Sequence, residues 1–215
     1  MTASPLAVPT DAETANRRIL TATIDCILDR GFYRASSNEI ARRAGMTWGA
    51  IQYHFGTREK LMLAALEVFN LDFEATLAAA HEDASFGAGT TAQRLEKLAA
   101  LLALQYARPQ YLATLQIILN LSHNPETSAE TAAALKHFEA TLSAQLTSLI
   151  ARAIGDGADS HTVTFVFHAL RGLSVSHLIN AETTAGKAPP ELHAISLQQD
   201  ARRLAEALAL FIERG

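Results

Sequence analysis

Between Ser37 and Lys60 the sequence gathers Ser37, Asn38, Thr47, Trp48, Gln52, Tyr53, His54, Arg58 and Lys60 into one short span. Hydroxyl, amide, phenol and guanidinium groups in this pattern suit hydrogen bonding rather than bond making. Ser37, Asn38 and Thr47 fall at helix starts, where unpaired N–H groups and a partial positive charge favour phosphate oxygens. Gln52 has the two-pronged amide that matches adenine in a major groove. Ala50 offers a methyl to thymine, and Gly49 leaves room for close approach. Tyr53, His54, Arg58 and Lys60 supply a polar and basic rim, expected to meet the phosphate backbone.

Such groups are useful only if two short helices hold them at a steep angle. Ser36 followed by Glu39 has the form of a capping box, and Ile40, Ala41 and Ala44 give the next helix one small apolar face. Gly45 supplies the left-handed stop and Ala41 the close approach that a helix-turn-helix requires. Thr47 is expected to cap a second short helix running to Phe55, anchored by Ile51, with Ile40, Ala44 and Met46 completing the small core. Gly56-Thr57 then breaks and recaps the chain before a long helix from Arg58 to about His81. The competing reading is an ordinary helical hairpin with Trp48 and Tyr53 packed inside.

The rest of the chain must be compatible with that head. Apolar residues make up 49% and charged residues 19% of 215, with alanine and leucine dominant, so a helical globular protein is expected rather than a disordered one. Leu20, Ile24, Ile27 and Leu28 recur at helical spacing from near Asp11 until Gly31. Beyond residue 82, breaks at Ser85–Thr90, Arg108-Pro109, Asn124-Pro125, Gly155–Asp159 and Ala185–Pro190 separate five further helical runs. The expected fold is all-α, with about nine helices in total. Its parts are a loose arm over 1–10, a three-helix helix-turn-helix domain over 11–56, a connecting helix over 57–82 and a larger helical domain over 83–215.

Net charge is −4, but its distribution matters more: residues 1–60 carry +2 and residues 61–215 carry −6. Only the N-terminal part suits a polyanion. Cys26 is the single cysteine, so no intrachain disulfide can form. The eight histidines contain no pair at four-residue spacing, and phosphate-cradling glycine loops and nucleophile elbows are absent. No metal, no cofactor and no catalysis are expected. With no long apolar run and no leader-like start, a cytoplasmic location is expected.

The run ILTATIDCILDRGFYRASSNEIARRAGMTWGAIQYHFGTREKLMLAALEVF, residues 19–69, resembles the N-terminal domain of the tetracycline-repressor (TetR) family of bacterial regulators. The elements that carry the resemblance are Gly31-Phe32, Ile40-Ala41, Ala44-Gly45, Gly49, Tyr53-His54-Phe55 and Leu61. It implies DNA contacts at Ser37, Asn38, Thr47, Trp48, Gly49, Ala50, Gln52, Tyr53, His54, and Arg58 or Lys60. The sequence departs from many members at Gln52, where an aromatic residue is common, and at Trp48, where a lysine is.

The resemblance further implies that the chain from about residue 70 forms a helical domain that dimerises and encloses an effector pocket. Periodicity nominates the helices around 161–182 and 195–213 for a homodimer, because small Gly172, Ser174 and Ser176 permit close approach and Leu204, Leu208 and Phe211 form a stripe. Tyr106, Leu115, Asn120, His123, His137, Phe165, His168 and Arg171 are the candidate pocket residues, suited to a small, mainly apolar ligand. A dimeric repressor on a palindromic operator, released by such an effector, is the leading expectation. A helical ligand- or protein-binding module with an inactive DNA head is the alternative, and a small-molecule enzyme in the C-terminal pocket is a third, weaker one.

Overall fold

The computed structural model describes residues 11–156, 158–183 and 190–214. The expected arm over 1–10 lies outside the described residues, as does the break from Ala185 to Pro190 apart from Pro190 itself. Among the described residues all regular structure is helical, in the order α1 (Asp11–Arg30), α2 (Ser37–Ala44), α3 (Trp48–Phe55), α4 (Arg58–Glu82), α5 (Thr91–Tyr106), α6 (Pro109–His123), α7 (Ala129–Ile154), α8 (Ser160–Thr183) and α9 (Pro190–Arg214). A short 3-10 turn, Ala84–Gly87, follows α4. Among those residues no helix is long and apolar enough to cross a membrane.

The chain divides into two compact units, one running to Phe69 and taking in Ala113–Leu135, the other formed by Asn70–Leu112 and the residues from Lys136 onward. The expected boundaries were continuous in sequence, whereas the packing is not. Three polar ties bind 113–135 into the first unit. The Phe32 N–H donates to Gln116 Oε1 at 3.0 Å, the Ser128 hydroxyl donates to Glu59 Oε2 at 2.8 Å, and Lys60 Nζ lies 2.9 Å from Glu130 Oε1. Periodicity cannot reveal such ties, because it reports which face of a helix is apolar and not what covers it.

In the first unit α1 packs on α2 and α2 on α3. Ile19, Ile24, Ile27, Ile40, Ile51, Leu61, Met62 and Leu66 are fully buried there. Met46, expected in this small core, is only half-buried. Cys26 is buried as a small apolar residue, and burial raises its thiol above the ordinary value, which keeps it protonated and inert.

The second unit is organised on α5, which packs against both α8 and α9. Phe73, Leu77, Leu95, Leu98, Leu149, Ile150, Val166, Ala205 and Leu208 form its core. Two arginines supply the hydrogen bonds that helix C-termini lack. Arg94 donates from Nε to Ala153 O at 2.8 Å and from Nη2 to Ile154 O at 3.1 Å, closing α7. Arg152 donates from Nη1 to His81 O at 2.6 Å, closing α4. A full reciprocal capping box stands at Thr90 and Gln93, opening α5.

Candidate nucleic-acid interface

The local chemistry of Ser36 to Phe55 builds two short helices joined by a tight turn. Ser36 Oγ accepts from the Glu39 N–H at 3.3 Å, so half of the expected capping box forms. Glu39 does not complete it. Its carboxylate instead accepts from Arg42 at 2.7 and 2.9 Å and from Arg43 Nε at 2.9 Å. These bonds hold the Glu39 carboxyl far below the usual carboxylate range, at about 2. Arg43 also reaches Asp29, so the network fastens α2 to the end of α1.

Gly45 ends α2 at φ +65, and its N–H bonds back to Arg42 O at 3.2 Å while the Met46 N–H reaches Ala41 O at 2.9 Å. A residue with a Cβ would be strained at this φ, and that Cβ would stand 3.0 Å from Arg18 Nη2. Thr47 then caps α3, its Oγ1 accepting from the Ala50 N–H at 3.2 Å.

Helix α3 is held by few of its own side chains, since only Ile51 of its eight residues is fully buried. Thr47, Gly49, Gln52 and Tyr53 are exposed, and Trp48, Ala50 and His54 are half-buried. Tyr53 is 88% exposed, which excludes the hairpin reading in which it packs inside. Its ring meets His54 edge-on at 5.6 Å. On α2, Asn38 is exposed and Ser37 half-buried. Lys60 is about half exposed and paired with Glu130 across the surface.

Arg58 departs from its expected place on the rim. Its Nη2 donates to Phe32 O at 2.6 Å, and its guanidinium carbon sits 4.5 Å from the Phe32 ring centroid. Burial lowers its pKa from the ordinary arginine value, though such a group stays charged. Arg58 therefore braces the loop after α1, with two carbonyls and an aromatic face within its reach. Two exposed arginines that sequence reasoning passed over, Arg17 and Arg18, line a groove between α1 and α2 together with Arg42 and Arg43. Their signal was the basic pair itself, hidden by reading α1 only for its apolar stripe.

This head geometry coincides with a family model. Residues 19–65 match the model described as bacterial regulatory proteins, tetR family. The N-terminal head is similar to that of the tetR family. Over 58 residues the chain is 36% identical to the HTH-type transcriptional regulator PksA of Bacillus subtilis (strain 168), a match spanning 27% of this chain and 28% of that relative's length. The fold beyond the tetR-type head is also shared. The multidrug binding protein EbrR, solved with imidazole, aligns with a TM-score of 0.61 at 22% identity over 97% of both chains. A putative TetR-family transcriptional regulator from Mesorhizobium loti MAFF303099 aligns with a TM-score of 0.63 at 20% identity, over 93% of this chain and 97% of that one.

Leu115, Asn120 and His123 belong to the unit that contains the tetR-type head, and Tyr106, His137, Phe165, His168 and Arg171 to the other. His123, His137 and His168 face solvent. Asn120 spends its Nδ2 donor on Gln116 O at 2.7 Å, and Phe165 stacks near Phe211 at 5.3 Å on an exposed surface. Tyr106 and Arg171 do share one environment. Tyr106 is buried against Phe73 and Tyr111, ring centroids 6.1 and 4.5 Å away, and Arg171 lies near the Tyr111 phenol and 5.9 Å from the Phe167 ring.

Proposed function

We propose that the chain is a transcriptional regulator that binds duplex DNA through α3 and responds to a small, mainly apolar effector held by its second unit. The observation that carries this reading is the exposure of Gln52 and Tyr53 on a helix anchored by Ile51. A short helix that contributes so little to the core is retained for what it presents to a partner. Ser37, Asn38 and Thr47 position the backbone, Gln52 and Ala50 read bases, and Tyr53, His54 and Lys60 flank them.

The effector end rests on the second unit's interior. Phe167 and Tyr111 lie near Arg171, Tyr106 packs on Tyr111 and Phe73, and among the described residues no carboxylate is ion-paired with that guanidinium. EbrR, with the same fold, is described as a multidrug binding protein. Phe165, Leu210 and Phe211, all more than half exposed on α8 and α9, support a homodimer through those helices. Repression with release by the effector needs only a coupling of about 1 to 3 kcal/mol, a roughly five- to 150-fold change in operator affinity.

Selection of bound fragments from random DNA by the full chain tests this reading. A dimer returns a palindrome whose half-sites are spaced by about one helical turn or a multiple. Recovery of no enriched sequence, with the helical fold intact by circular dichroism, contradicts it and favours the module with an inactive head.

A further inference from the structure

The open groove between α1 and α2, about 600 Å³, is lined by Arg17, Arg18, Arg42 and Arg43 against the single acid Asp25. The four guanidiniums are not equally neutralised. Arg42 and Arg43 share Glu39, and Arg43 also takes Asp29. Arg18 donates from Nη2 to the carbonyl of Ala44 at 2.7 Å, a neutral acceptor that leaves its charge in place. Arg17 is exposed and has no ion-pair or hydrogen-bond partner among the described residues. The floor, Ala22 and Ala44, is buried and apolar, so the polar chemistry of the groove is guanidinium with one carboxylate at its side.

Position fixes what this charge can meet. The Arg18–Ala44 bond sets the groove beside the Gly45 turn, and Thr47, the cap of α3, follows two residues later. If Thr47 meets the phosphate backbone, as proposed above, the groove stands beside the same strand. Guanidinium forks match phosphate oxygens in pairs and keep their charge at every physiological pH.

We infer that the Arg17–Arg18–Arg42 groove is a second DNA contact, binding the phosphodiester backbone that flanks the bases met by α3 and adding sequence-independent affinity. This rests on the DNA-binding reading above and adds residues of α1 to it. Each phosphate neutralised contributes a slope of about −0.9 to the dependence of log affinity on log salt.

The test uses the full chain on a duplex recovered by selection, with Arg17→Gln, Arg42→Gln and Thr21→Glu compared with the unaltered protein across a salt series. Thr21 lines the same groove and is exposed, so a glutamate there opposes phosphate while leaving every arginine pair in place. The expected result is several-fold weaker binding at low salt, a shallower slope for Arg17→Gln by about one contact, and an unchanged base preference. Unchanged affinity and slope in all three variants, while Tyr53→Ala still weakens binding, overturns the groove and leaves the DNA reading standing. Failure of the unaltered chain to bind any duplex overturns both. An unchanged unfolding midpoint in Thr21→Glu separates loss of contact from loss of fold.

Discussion

Arg58, at the start of α4, donates to the carbonyl of Phe32 at 2.6 Å and lies across the face of that residue's ring. The same guanidinium also approaches the Ala35 carbonyl at 3.4 Å, so one side chain satisfies the loop that joins α1 to α2. Basic residues near a DNA-binding helix are not interchangeable. This one sets where α2 begins, and only through that the presentation of α3.

Arg58→Ala is accordingly expected to destabilise the head by about 2 kcal/mol, the loss of a part-buried charged hydrogen bond and a cation–π contact. Arg58→Lys should recover only part of it, since an ammonium cannot both fork to two carbonyls and lie flat on a ring. Chemical denaturation of each variant measures this. Wild-type stability in Arg58→Ala with weakened DNA binding would return the residue to the phosphate rim.

Gly45→Ala places a Cβ at φ +65 and forces the Arg18 guanidinium to give way. A cost of about 1 to 2 kcal/mol is expected from the left-handed backbone. Thermal unfolding checks it, and a neutral substitution would mean that the turn relaxes out of the left-handed region.

Acid should loosen the junction of α1 and α2. Glu39 has its folded pKa lowered to about 2 by the hydrogen bonds from Arg42 and Arg43, and Asp29 is lowered by its bond from Arg43. Groups depressed in the folded state contribute stability above their unfolded values and lose it as pH falls through the folded ones. Stability should therefore decline from about pH 4.5 down to about 2, and Glu39→Gln should flatten that decline. An identical acid profile for the variant would contradict the assignment.

Alkali tests the second unit. Burial raises the phenols of Tyr106 and Tyr111 above the ordinary value of 10.0. Both remain protonated in the folded state while the unfolded chain ionises, so the stability they contribute is present below that value and lost as pH rises beyond it. Ultraviolet titration of Tyr106→Phe should lose a late component of phenol ionisation. Its persistence would place that component elsewhere.

What the sequence made legible was whatever depends on local backbone chemistry. Ser36 and Thr47 as caps, Gly45 as the left-handed stop and Ile51 as the anchor of α3 each follow from residue type and spacing. Arg58 was not legible in this way, because charge is visible in a sequence but its acceptors, carbonyls 26 and 23 positions away, are not. The same limit hid Gln116, whose amide oxygen takes the Phe32 N–H across 84 positions and ties part of α6 to the head. His123, His137 and His168 were nominated because polar groups on apolar helices suggest a pocket. Which way each faced depended on helix rotation, and all three point to solvent.

Competition binding of Gln52→Ala and Tyr53→Ala on a selected duplex and its single-base variants asks whether α3 reads DNA. Gln52→Ala should lose discrimination at one base step, by about 1 to 3 kcal/mol, while keeping its affinity for unrelated DNA. Tyr53→Ala should weaken binding to every sequence alike. Wild-type affinity and wild-type discrimination in both variants would contradict the claim.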